Sequence, residues 1–118
     1  MKFIEFNVKN KKGGVISALL KADSISYVEA SDVYDDSNLL YCEDGSTYNV
    51  DKELDVIFNC NEKFIWTSEA EESLVNVKKI DSIHKQNGNY FLSLKGVDFA
   101  VGITHNVYHK IYDIITVL

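Results

Sequence analysis

The sequence predicts a mainly β fold with short helices, of the α+β class, built from two similar β-β-β-α halves. Short apolar segments recur along the chain between turns that contain Gly or Asn, which is typical of antiparallel strands. A helical period occurs in only two places, around residues 51–58 and 107–118. The expected domain therefore contains many strands and two helices.

Length and composition indicate one domain, 1–118, with one modest hydrophobic core. The hydrophobic content of 46% is that of a globular protein. No apolar run approaches the roughly 18–20 residues that cross a membrane, and the N-terminus is too polar for a signal peptide. We therefore expect a cytoplasmic protein, in which Cys42 and Cys60 are reduced.

In the first half, four segments are expected to be strands: 3–8, 25–30, 39–42 and 46–50. Residues 9–14 are expected to form a turn, whereas the apolar run 15–20 is too short to separate a strand from a short helix. Leu54, Ile57 and Phe58 recur at helical spacing after Asp51, a candidate N-cap. This spacing predicts one short helix.

In the second half, strands are expected at Trp66, 74–77, 80–83, 90–94 and 98–101, with a turn at 87–89. Trp66 is expected to belong to the core. The chain ends in a helical pattern whose apolar residues share one face: Val107, Ile111, Ile114, Ile115 and Leu118.

The order of these segments is similar in residues 15–60 and 66–118, with Asp23-Ser24-Ile25 and Asp81-Ser82-Ile83 as aligned anchors. Halves of this size cannot each bury a core, so they should pack against one another. The pattern predicts a weak internal duplication, although chance similarity between two β-rich halves also accounts for it.

The charge of the chain limits its partners. The net charge is −6, and all twelve cationic residues are Lys. The planar guanidinium group of Arg forms bidentate hydrogen bonds with phosphates and guanine edges. The absence of Arg therefore argues against phosphate recognition. A compositional bias that replaces Arg with Lys explains the same observation equally well.

Motifs for catalysis or cofactor binding are missing. The sequence has no nucleophile elbow, P-loop, dinucleotide fingerprint or HExxH pattern. His105 and His109 have metal-ligand spacing on the expected last helix but no evident third ligand, and the acidic 32–36 segment lacks EF-hand spacing. We expect no enzyme activity, no cofactor and no metal.

Two stretches resemble the LytTR-type DNA-binding domains of bacterial response regulators. "DSISYVEASDVYDDSNLLYCEDGSTYNVDKELDVI" resembles the family's I-x-Y-x-E-A strand, variable loop, D-G turn and short helix. "SLVNVKKIDSIHKQNGNYFLSLKG" resembles its LVN strand and N-G-x-Y turn. The resemblance extends from about Phe3 to Ile115 and implies an elongated, mainly antiparallel β domain.

The resemblance also implies three positions at which family members place basic or polar residues on loops that enter the major groove. Ala70, Glu71 and Glu72 stand at the family's H-R-S motif, just before Ser73 and the LVN strand. His105 is nearest to an Arg that precedes the last helix, and the variable loop corresponds to residues 32–38. The scaffold pattern is retained, and acidic residues replace the basic ones.

The first functional hypothesis is therefore a non-catalytic, acidic protein-binding module of bacterial or phage type. It would block a basic partner, as an inhibitor, immunity or counter-defence protein does. Its expected binding residues are acidic: Asp32, Asp35, Asp36, Glu69, Glu71 and Glu72. The partner would be a protein whose basic surface is complementary in charge to these carboxylates.

The alternative is a stand-alone LytTR-like transcriptional regulator that binds DNA through other residues: Lys78, Lys79, Lys85, Lys95 and His105. A small-ligand binder is a third class, with no supporting motif. No membrane partner is expected. A homodimer stays open in each case, because an exposed β edge can pair two copies.

Overall fold

The structure, a computed structural model, describes residues 3–9, 14–31, 37–59 and 63–115. Its strands are β1 (Phe3–Lys9), β2 (Val15–Lys21), β3 (Ile25–Ala30), β4 (Asn38–Cys42), β5 (Thr47–Val50), β6 (Phe64–Trp66), β7 (Ser73–Asn76), β8 (Ile80–Gln86), β9 (Asn89–Leu94) and β10 (Val101–Ile103). Its α-helices are α1 (Leu54–Phe58) and α2 (His105–Ile115). Short 3-10 turns, Ala22–Ser24 and Val77–Lys79, precede β3 and β8.

Two antiparallel sheets contain the ten strands of the described residues. One sheet has seven strands in the order β2-β1-β5-β4-β3-β7-β6, and the other has the order β10-β9-β8. The described residues extend over 42 × 31 × 24 Å. The expected fold class, an elongated and mainly antiparallel β domain with short helices, is confirmed.

β3 and β7 lie between two hydrophobic cores, which explains why their burial does not alternate. Val28 and Leu74 belong to a core with Phe6, Leu40 and residues of α1 and β6. Residues of the opposite face, such as Tyr27 and Val75, belong to a second core with β9, β10 and α2. The seven-stranded sheet is thus covered on both faces at β3 and β7, toward its β6 edge.

The ambiguous 15–20 segment forms a strand. β2 pairs with β1 in a continuous register from Phe3↔Lys21 to Lys9↔Val15. Pairing with β1 decides the conformation, because the apolar run itself carries no clear period. Of the turn expected at residues 9–14, residues 10–13 lie outside the described part of the chain.

Two local expectations were wrong. Asp51 does not cap α1, because its carboxylate accepts hydrogen bonds from Asn7, and Glu53 occupies the N-cap position. The last strand begins at Val101 rather than at Asp98.

The expected C-terminal helix is present as α2. Of its predicted apolar face, Val107 and Ile111 are buried, Ile114 and Ile115 are 42% and 37% exposed, and Leu118 lies outside the described residues.

The order β, 3-10 turn, β, β, β, α occurs twice, from β2 to α1 and from β7 to α2. The two aligned anchors are not equivalent in the structure. Asp23-Ser24-Ile25 spans a 3-10 turn and the start of β3, whereas Asp81-Ser82-Ile83 lies within β8. The internal duplication and the boundaries of its halves stay predictions.

The two sheets are joined where the 94–97 turn lies against β3 and β4. The Ser26 hydroxyl donates to the Lys95 carbonyl at 2.6 Å, and Lys79 forms an ion pair with Glu43. Gly96 has a φ of +77°, and a Cβ placed on it would lie 2.1 Å from the Cys42 carbonyl oxygen. This junction therefore requires glycine both for its conformation and for space.

Gly96→Ala is expected to destabilise the protein by roughly 3 kcal/mol or more, since left-handed strain adds to a backbone clash. Gly88→Ala is the matched control, because Gly88 has a φ of +82° with nothing within 4 Å of the added Cβ. It should cost only about 1–2 kcal/mol. Urea unfolding of both variants measures the difference, and equal losses would contradict the tight junction.

Candidate binding surface at the loop end

Three connections meet at one end of the seven-stranded sheet. β3 pairs with β7 with Glu29 opposite Ser73, so the chain leaving β3 and the chain entering β7 lie side by side. The backbone N–H of Thr104 donates to the Thr67 carbonyl at 3.2 Å, which brings the start of α2 to the same place. We call this region the loop end: Ser31, Ser37, residues 67–73 and residues 104–106.

The 67–73 connection is compact and held by its own hydrogen bonds. The backbone N–H of Thr67 donates to the Ser73 carbonyl at 3.0 Å, and their hydroxyls also contact. The N–H of Glu71 donates to the Ser68 carbonyl at 3.2 Å. Glu71 has a φ of 56°, which is uncommon for a residue other than glycine. This turn leaves the side chains of Glu71 and Glu72 exposed.

Glu69 joins this connection to the start of α2. Thr104 caps the helix, since its hydroxyl oxygen accepts from the Val107 N–H at 3.3 Å. The same hydroxyl donates to Glu69 Oε1 at 3.2 Å. Hydrogen bonds from Glu69's own backbone, Asn106 and Thr104, with the charge of Lys110, hold the pKa of Glu69 below its ordinary value of 4.5. A carboxylate also suits a helix N-terminus.

Glu29 is a fourth carboxylate near the loop end, and it was not among the expected site residues. The hydroxyls of Tyr27 and Tyr41 donate to its two oxygens at 3.0 and 2.9 Å. Burial, more than the neighbouring Glu29, raises the pKa of Tyr27 to about 12. The two-residue spacing of Tyr27 and Glu29 on one strand face was the sequence feature that could have revealed the pair.

The acidic residues expected to bind a partner fall into two groups. Glu69, Glu71 and Glu72 lie together on the 67–73 connection. Asp32, Asp35 and Asp36 lie outside the described residues, but the connection that holds them leaves from Ser31 and returns at Ser37. The Ser31 N–H donates to the Ser37 carbonyl at 3.0 Å, so both ends of that connection belong to the loop end.

The lysines expected for DNA binding do not form one surface. Lys78, Lys79 and Lys95 lie at the far end of β7, where the Lys95 N–H donates to the Lys79 carbonyl and Lys79 pairs with Glu43. Lys85 lies toward the other end of β8, with its Nζ 5.6 Å from the centre of the Tyr90 ring. Lys85 is five steps along β8 from Ile80, which corresponds to roughly 17 Å.

His105 is the one residue of the DNA-binding set that lies at the loop end. Its Nδ1 is 3.3 Å from the Tyr90 hydroxyl, and its Nε2 is 3.0 Å from Nε2 of His109. Within the described residues, no group of three or more His, Cys, Asp or Glu side chains is placed to hold a metal ion.

An open groove of about 340 Å³ lies beside the loop end. Phe58 and Trp66 stack on its wall with ring centres 5.3 Å apart, and Glu69, Glu71 and Lys110 line its rim. Trp66 is half-buried and packs against the first core, so the expectation that it belongs to the core is met in part.

No model of a known protein family matches the sequence, and no curated protein matches it. The structure is similar to the LytTr DNA-binding domain of a Bacillus cereus protein described as a methyl-accepting/DNA response regulator. The match has a TM-score of 0.66 and covers 96% of this chain and 95% of that one, with 16% sequence identity. The chain therefore has a LytTR-type fold, as the sequence motifs implied. Within the described residues, no helix combines the length and the apolar character that a membrane crossing requires.

Replacing Glu69 tests its contact with α2. Because the pKa of Glu69 is lowered in the folded state, its ionised form stabilises the fold above its unfolded-state pKa, and this contribution disappears as the pH falls through the folded-state pKa. Glu69→Gln should therefore lower the Tm at about pH 7, and this loss should shrink when the pH is lowered well below the pKa of Glu69. Glu72→Gln, an exposed neighbour, is the control. A Tm loss that is equal at both pH values would contradict a role for the charge.

Proposed function

We propose that this chain acts by binding rather than by catalysis, that the loop end is its binding surface, and that double-stranded DNA is the first candidate partner. It would be a DNA-binding regulator of LytTR type. The observation that carries this proposal is the match of nearly the whole chain to a solved DNA-binding domain. The convergence of the three connections that the sequence resemblance assigned to groove contacts supports it.

Several polar groups at the loop end can contact a duplex. The hydroxyl of Ser68 can donate a hydrogen bond to a base edge or a phosphate. The side chains of Thr104, Asn106 and His105 would first have to exchange their hydrogen bonds within the protein. Lys110, which acts on the Glu69 charge, is a nearby cation that can approach a phosphate. Such contacts would position the domain on DNA, with α2 near the backbone.

The carboxylates of the loop end oppose this function. DNA affinity depends mostly on the counterions that are released when Lys or Arg neutralise phosphates. Glu71 and Glu72 reverse this contribution, because they repel phosphates within the ~10 Å Debye length of 0.1 M salt. We therefore expect weak DNA binding that is detectable only at low salt.

The second candidate is an acidic protein-binding module that blocks a basic partner, of the inhibitor, immunity or counter-defence type. Glu69, Glu71 and Glu72 favour it, because they lie together on the 67–73 connection of the loop end. Such an acidic surface is complementary to a basic protein surface and would accelerate association with it.

One double substitution separates the two candidates, because it moves them in opposite directions. Glu71→Lys with Glu72→Lys should strengthen binding to a fluorescent mixed-sequence duplex about tenfold in ~50 mM salt, since two repulsive charges become attractive. For a module that binds basic proteins, the same variant should lose several-fold in affinity for an oligolysine peptide. Fluorescence anisotropy measures both affinities.

The matched control carries the same change in net charge at another place, with Glu53→Lys and Asp55→Lys on and beside α1. If the loop end contacts DNA, this control should gain much less affinity than the loop variant. Absence of duplex binding by the wild-type chain at low salt, with equal gains in both variants, would reject the DNA proposal. Unchanged oligolysine binding would reject the second candidate.

A second pair of substitutions locates the DNA surface. Lys78→Glu with Lys95→Glu alters the lysine cluster at the far end of β7 and leaves the Lys79–Glu43 ion pair in place. If the loop end contacts DNA, this variant should keep most of its duplex affinity in the same anisotropy measurement. A complete loss would transfer the DNA contact to the lysines.

A further inference from the structure

β2 presents an unusual set of apolar side chains to solvent. Val15, Ile16 and Leu19 are 60%, 57% and 65% exposed. Val15 and Leu19 lie on the outer face of the β1–β2 pair, opposite Lys9 and Glu5 of β1. Several exposed large apolar residues on one strand are typical of a surface that another chain covers.

β2 is also a sheet edge without the usual protection. It stands at the end of the seven-stranded order and pairs with β1 over seven residues without a bulge. Its sequence, VISALLK, has no charge before its last residue and no Pro. Natural edge strands that stay unpaired are usually short, charged, bulged or covered.

The other edges in the described part of the chain carry that protection. β6 and β10 have three residues each, and α1 lies against β6. β8 is as long as β2 but contains Asp81, His84 and Lys85 and has a register irregularity near its start. β2 is thus the one edge in the described part of the chain that combines seven residues with a regular register and no charge before its last residue.

We propose that β2 pairs antiparallel with β2 of a second copy of this chain, across a twofold axis at Ser17. In this register Val15 faces the partner's Leu19, and Leu19 faces the partner's Val15. Ile16 lies opposite the partner's Ala18 on the inner face. The two seven-stranded sheets become one continuous sheet, and the exposed apolar residues of both copies cover one another.

The charges beside β2 fit a second copy. Within one copy, Glu5 pairs with Leu19 and Lys9 pairs with Val15. In the proposed register, Leu19 also pairs with the partner's Val15. Four neighbouring strands therefore contribute, in order, Glu5, Leu19, the partner's Val15 and the partner's Lys9. Each apolar pair is therefore bordered by a carboxylate on one side and an ammonium on the other. A twofold axis repeats this row with the copies exchanged, as an isologous interface requires.

The interface is small. Pairing over residues 15–19 covers a strand length of roughly 17 Å. Even with the side chains included, a contact of this length buries much less than the ~1,600 Å² of a standard stable interface. We therefore expect a dimer whose population depends on concentration. The proposal is independent of the partner at the loop end, which lies on other strands.

Sedimentation equilibrium between about 1 μM and 1 mM tests the association. The wild-type chain should shift from monomer toward dimer with concentration, and Leu19→Lys should weaken this association at least tenfold, because it places two charges in the apolar pairs. Val56→Lys is the matched control, since Val56 is 49% exposed on α1. It should associate like the wild type, and circular dichroism verifies that both variants fold.

Cysteine cross-linking tests the register. In a Cys60→Ser background, Ser17→Cys should form a disulfide-linked dimer under mild oxidation, because residues that pair across the axis have Cα atoms ~4.5–5.5 Å apart. Glu5→Cys is the control. It removes the same Ser17–Glu5 hydrogen bond, but it lies one strand further in, so its partner is at least ~14 Å away.

A monomer at every concentration would overturn the proposal. A dimer that forms equally well with Leu19→Lys, or that cross-links no better through Ser17→Cys than through Glu5→Cys, would overturn it as well. A monomer would exclude a second copy of this chain as the partner of β2. A dimer that is unaffected by Leu19→Lys would assign the dimer to another surface, and equal cross-linking would exclude the register at Ser17.

Discussion

Burial of β3 and β7 on both faces is the constraint on which the rest of the structure depends. Tyr27 and Val75 face the second core, whereas Val28 and Leu74 face the first. The second sheet must therefore lie against the first, and it is held at both ends of this contact. Ser26 binds the Lys95 carbonyl at one end, and Thr104 binds the Thr67 carbonyl at the other. The second of these bonds places α2 beside the 67–73 connection and so builds the loop end.

The fold follows from the sequence where local patterns and packing agree. Alternation in the sequence identified β3, and apolar segments beside turns with Gly identified β4 and β9. The run that became β2 stayed ambiguous because VISALL has no period of its own. Asp51 resembled a cap but lies beside Asn7, a contact across 44 residues that no local pattern contains. Spacing predicted the shared apolar face of α2, but it carried no information on where the core ends, and Ile114 and Ile115 lie beyond it.

The candidate site was only partly accessible from sequence. Glu69, Glu71 and Glu72 are neighbours in the chain, so their grouping was evident, whereas their approach to Thr104 depends on the packing of the second sheet. Glu29 was overlooked because its two tyrosine donors come from different strands. Glu69 supplies the negative charge that the N-terminus of α2 favours.

Cys42 gives the first core a chemical reporter of its own. It lies at the end of β4, its side chain belongs to the first core, and burial raises the pKa of its thiol to about 11. The thiolate is the form that alkylating reagents attack, so both burial and the raised pKa slow the reaction of Cys42. Alkylation of Cys42 therefore requires local opening of the first core. In a Cys60→Ser background, its rate would measure how often the native protein opens there.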